Sequence, residues 1–73
     1  MNRIALLSSV ALIEDIPGEN LTRGQLGTVV EHLDRDGDQA LLVEFSDEEG
    51  HAYTMVALKP DQLIVLHRKT EAA

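Results

Sequence analysis

Cysteine and tryptophan are absent from this chain, and its aromatic residues are limited to one Tyr and one Phe. Without cysteine there is neither a disulfide framework nor a thiolate metal site. With two aromatic rings, the stacking platform used by most RNA and single-strand binders is missing. Basic residues are scarce as well: six Lys and Arg stand against thirteen Asp and Glu, for a formal net charge of −7. Those six, at Arg3, Arg23, Arg35, Lys59, Arg68 and Lys69, are scattered along the chain. The field around such a molecule repels phosphate backbones, so nucleic acid is disfavoured and a basic partner, or a solvated acidic surface, fits better.

A long apolar run is also missing. Residues 4–13 are mostly apolar and follow Arg3, but Ser8 and Ser9 interrupt them. A membrane span needs about 20 apolar residues. A secretory leader needs an unbroken apolar centre and a small-residue cleavage site, and cleavage here would remove a strand from a chain with none to spare. The expectation is a chain without membrane association. The lack of cysteine is compatible with the cytoplasm, which is the expected location.

Seventy-three residues suffice for one small domain, expected over residues 1–73. A chain of this size buries only about 60% of its unfolded surface, so oligomerisation is a natural supplement to the core. The apolar fraction of 44% is that of a folded chain.

The stretch 24–45 organises the rest. Residues 25–33 are rich in β-branched side chains, and residues 39–46 alternate, with Leu41, Val43 and Phe45 on one face and Leu42 and Glu44 on the other. Between them, Asp36-Gly37 is a strong short-range hairpin signal. Residues 4–14 read as the first strand, apolar on both faces. A Pro17-Gly18 loop follows, with Leu21 as its anchor. Residues 51–58 read as the fourth strand, after a turn through Ser46-Asp47-Glu48-Glu49-Gly50. Lys59-Pro60-Asp61-Gln62 suits a single 3₁₀ turn, and residues 63–67 form the last strand. The tail 68–73 is polar and expected to fray. Five short strands with tight turns predict an all-β fold: a small, SH3-like, partly open antiparallel barrel with a 3₁₀ turn before its last strand. Its fold-defining positions are expected to be Pro17, Gly24, Gly27, Gly37 and Pro60. Gly27, inside a strand, signals a bend, a bulge or the close approach of another backbone.

Two motifs carry a family likeness. Val10-Ala11-Leu12-Ile13-Glu14-Asp15-Ile16-Pro17, followed by Arg23-Gly24-Gln25-Leu26-Gly27-Thr28-Val29-Val30-Glu31, resembles a bacterial family of unknown function, DUF4926. Val43-Glu44-Phe45 and Leu58-Lys59-Pro60-Asp61-Gln62-Leu63 are similar to it too. The resemblance implies the barrel plan and no particular activity. A weaker likeness, through Gly24-x-x-Gly27-x-Val29, is to KOW-type barrels, which implies RNA or ribosome binding as the alternative function.

Motifs for chemistry are weak. Counted from Asp34, the positions where a calcium loop needs Gly and Glu hold Gln39 and Phe45, so Asp34–Asp38 reads as a hairpin turn. His32, His51 and His67 lack metal-ligand spacing. The carboxylates Glu14, Asp15 and Glu19, and Asp47, Glu48 and Glu49, crowd two loops without a cleft to frame a substrate. No cofactor, metal or catalytic residue is assigned, and an enzyme is not expected. The surplus apolar residues Ile4, Leu6, Leu7, Ile13, Ile64 and Leu66 need a cover that one small interior does not supply. They are the expected interface of a protein-interaction module that docks on a protein partner or on itself. A homodimer is the simplest such cover, and an antidote or accessory subunit masking a basic partner is a variant.

Overall fold

The computed structural model describes residues 4–47, 49 and 51–67, and the side chains of all of these except Ala52 and Tyr53. The expected fraying of 68–73, the turn residues Glu48 and Gly50, and the facing of Tyr53 and Ala52 lie outside the described residues or side chains.

Five strands form one antiparallel sheet: β1 (Ser9–Leu12), β2 (Leu26–His32), β3 (Leu41–Ser46), β4 (Ala52–Leu58) and β5 (Leu63–Val65). Their spatial order is β4-β3-β2-β1-β5. The three central connections join neighbours in sequence, and β5 returns to pair with β1, curling the sheet into a partly open barrel of SH3-like plan. No helix among the described residues is long and apolar enough to cross a membrane.

Strand periodicity fixes the two faces. Val10 pairs with Gly27 on one side and Val65 on the other. Gly27 pairs with Phe45, and Val29 with Val43, which pairs with Val56. These positions face inward. Val10, Leu12, Leu21, Val29, Leu41, Val43, Phe45, Val56, Leu58 and Leu63 make one buried cluster, with Ile4, Ile16 and Val65 packed against it. Leu21 is fully buried and anchors its loop as the sequence implied. The backbone groups of Ile16 and Leu21 bond each other in both directions, at 2.8 and 3.3 Å, clamping the loop around a 3₁₀ turn at Pro17–Glu19.

Gly27 is where the strands crowd. A Cβ there would lie 2.7 Å from Val43 Cγ1 and 2.9 Å from Phe45 Cε1. The close approach is thus by core side chains of β3, not by a neighbouring backbone. Gly24 and Gly37 serve differently, through positive φ of 90° and 86°. Asp36 (φ 52°) and Gly37 form the two central residues of the hairpin turn, with paired bonds between Arg35 and Asp38 at 2.9 and 2.8 Å. Positive φ at both centres matches the twist of the flanking strands. Pro60 opens the second 3₁₀ turn, Pro60–Gln62, where Gln62 Oε1 accepts the Lys59 N–H at 2.9 Å.

The first strand is a correction. Residues 4–14 read as continuous strand, but β1 is Ser9–Leu12 alone. Upstream, the chain turns at Leu6-Leu7, with Leu7 at φ 68°. The turn lets Ile4 pack against the core. His32 Nε2 donates to the Ile4 carbonyl at 2.6 Å, and Leu7 N–H donates to Val29 O at 2.7 Å. Residues 7 and 8 keep backbone bonds to Val29 of β2, and the turn at Leu6-Leu7 diverts the chain before it so that Ile4 joins the core. The other strands run slightly shorter than their sequence bounds, the last ending at Val65 instead of His67.

A bulge in β2 also lay beyond the sequence reading. The register shifts between Val29 and Glu31, leaving Val30 without a cross-strand partner. Strict alternation from Gly27 and Val29 would turn the Glu31 carboxylate into the core, where an unpaired charge is costly. The extra residue restores Glu31 to the outside and brings His32 to the inner side opposite Leu41.

Gly27→Ala should destabilise the fold by about 1–3 kcal/mol through overpacking against Val43 and Phe45. Gly18→Ala, with nothing within 4 Å of its added Cβ, should be neutral or stabilise by up to about 1 kcal/mol. Urea unfolding of both variants measures the contrast. Leu21→Ala should be lower in stability by about 2–5 kcal/mol, as for other large-to-small core changes.

Candidate docking face

In each of the two carboxylate clusters one Asp holds local backbone. Asp15 Oδ1 accepts the Arg23 N–H at 2.8 Å, tying the end of one loop to the turn that opens β2. Asp47 Oδ1 accepts the N–H groups of Glu49 and His51, each at 2.9 Å. His51 Nδ1 lies 3.6 Å from Asp47 Oδ2 and 3.7 Å from Glu49 Oε1, all three exposed. Glu14 Oε2 accepts from Gln62 Nε2 at 3.1 Å. The histidines are dispersed: His32 holds Ile4, His51 belongs to the acidic turn, and His67 follows β5. No group of three or more His, Asp or Glu suited to a metal ion occurs among the described residues.

The outer face of the sheet is built differently. Ladder register places Ala11 opposite both Leu26 and Ile64. Leu26, Ala11 and Ile64 therefore form one apolar row across β2, β1 and β5, facing away from the core. Leu26 is 60% exposed and Ile64 54%, while the small Ala11 between them is only 8% exposed. Ile13, two residues beyond Ala11, and Leu66, whose N–H donates to Ser9 O at 2.9 Å, extend the row at either side. The adjacent row runs Ser9, Thr28, Glu44, Met55. Met55 is exposed, and Glu44 is half-buried between Thr28 and Met55. Two shallow grooves lie on this side. The first is lined by Ser9, Leu26, Thr28, Glu44, Ser46 and Asp47, and the second by Ser9, Leu26, Leu66 and His67.

Of the six residues read from sequence as surplus, Ile13, Ile64 and Leu66 come together at this face. Leu6 and Leu7 are exposed in the N-terminal turn, and Ile4 is drawn into the core. Leu26 and Met55 were missed. Leu26 could have been found from its neighbour: with Gly27 inward, period two sends Leu26 outward. Met55 carried the same signal opposite Val56.

Asp15→Ala should lower stability by about 0.5–1.5 kcal/mol, the usual range for one hydrogen bond. Glu19→Ala should leave it unchanged, since this carboxylate's neighbours in the loop are held by backbone bonds. Thermal melts followed by circular dichroism separate the two.

No curated protein and no solved structure matches the chain. Residues 6–65 match the family model described as a domain of unknown function, DUF4926, and the chain belongs to that family.

Proposed function

We propose that this protein is a non-catalytic interaction module that docks on another protein, or on a second copy of itself, through the outer face of β2, β1 and β5. The observation that supports this reading is the placing of Leu26, Ile64, Leu66 and Ile13 together on the outer side of these three strands, each exposed. Isolated surface leucines are ordinary in a monomer, whereas a contiguous apolar patch on one face is the usual mark of a binding surface. The non-catalytic part of the reading is supported by the employment of Asp15 and Asp47 as backbone acceptors, which gives these carboxylates a structural purpose. An antidote or accessory subunit is one form such a module takes. The KOW-type alternative gains no support from charge. Arg23 lies in the loop before β2, Arg35 in the hairpin turn and Lys59 beside the second 3₁₀ turn, on three separate connections.

A double variant, Leu26→Ser with Ile64→Ser, should retain the strand signal in circular dichroism and lose docking. Light scattering over a wide concentration range reads self-association, and affinity capture from the native host reads a heterologous partner. The reading fails if the wild type is a monomer throughout and captures nothing that the double variant does not.

A further inference from the structure

The docking face is not uniformly apolar, and its one charged row has a sign. Glu44 stands on the outer face, half-buried, with Thr28 and Met55 as its cross-strand neighbours. Asp47 lies at the end of the same groove, which Leu26 borders. No cation lines either groove among the described residues. Lys59 lies by a different groove, with Gly37, Asp38 and Asp61. The apolar row and the carboxylate row are adjacent strand positions, about 5–7 Å apart. An occupant that covered Leu26 and Ile64 would therefore bring its next side chain against Glu44.

We infer that this face selects an extended, cationic protein segment, in which apolar residues cover Leu26, Ala11 and Ile64 and a Lys or Arg pairs with Glu44 and Asp47. This rests on the docking reading and adds the chemistry of the partner. Three features favour it over a second copy. Each copy carries −7. A two-fold contact through this face would crowd Glu44 and Asp47 of both copies into one apolar interface, and like charges there disfavour association. A cationic segment instead relieves the strain of covering a half-buried carboxylate, because burial of Glu44 is favourable only with a paired charge. The geometry suits an extended chain: from β5 to β3, where Glu44 stands, four strands at about 4.8 Å spacing span roughly 14 Å, which about five extended residues cover.

The test uses fluorescein-labelled peptides of about eight residues, long enough for that span. In the Lys-Leu, Glu-Leu and Lys-Ser peptides the two named residue types sit together at every second position, with Ser spacers between, so that both types share one face of the extended chain, and binding to the full chain is read by fluorescence anisotropy. The Lys-Leu peptide should bind at least about tenfold more tightly than either of the others and weaken with added salt. Glu44→Gln and Leu26→Ser should each reduce its affinity about three- to tenfold. Asp36→Asn, which removes the same charge at the hairpin tip and keeps a residue tolerant of positive φ, should leave it unchanged. Equal loss in Asp36→Asn and Glu44→Gln would overturn the inference, since attraction would then reflect net charge alone. Equal binding of Lys-Leu and Glu-Leu peptides, both weakened by Leu26→Ser, would overturn the charge selection and leave the docking reading standing. Binding by an Arg68→Gln, Lys69→Gln variant but not by the wild type would assign the groove to the chain's own tail and overturn the partner. Binding of no peptide would overturn the inference, and the docking reading falls with it where the wild type is also a monomer and captures nothing that the double variant does not.

Discussion

The barrel depends on the space above Gly27. Phe45 and Val43 are fully buried, and both press against the β2 backbone at that one residue. Any side chain there would push β2 away from β3 and open the tightest part of the sheet. β2 pairs on both sides, with β1 and β3, so a displacement would reach both ladders. Ladder and turn bonds fix the register, and among the described residues Phe45 is the largest fully buried side chain packed between the strands. Close packing at this point makes the small interior continuous from Leu41 to Leu63.

The same economy explains the outside. A core this small uses one face of each strand, and β1, β2 and β5 carry apolar residues on both. The inner set closes the barrel, and the outer set is left as a row. Ser9, Thr28 and Glu44 border it with polar groups, so the face has a sidedness that a featureless greasy patch lacks. In the loops, by contrast, Asp15 and Asp47 accept backbone N–H groups.

Much of this was legible from residues alone. Alternation at Leu41, Val43 and Phe45 placed β3, Asp36-Gly37 placed the hairpin, and Lys59-Pro60-Asp61-Gln62 placed the last 3₁₀ turn. Local signals sufficed because each feature is decided within a few residues. The bulge at Val30 was not legible, because it answers a register requirement set by β3, on another strand. The shortening of the first strand is similar: residues 4–8 have strand-like composition, and the pull of an uncovered core end redirects them. The outer apolar face was half legible. Surplus apolar residues were countable, but which of them meet depends on cross-strand pairing, and Leu26 was hidden beside a glycine read for its backbone.

The hairpin tip has a bearing on engineering. Beyond the last pair of β2 and β3, His32 and Leu41, the chain runs through half-buried Leu33 and Ala40 and exposed Asp34 and Gln39 to a turn closed by its own Arg35–Asp38 bonds. That arm projects from the barrel without contributing a side chain to the buried cluster. It is a natural splice point: a foreign loop grafted between Asp34 and Gln39 would inherit a preformed stem and leave the opposite, oil-lined side of the molecule untouched.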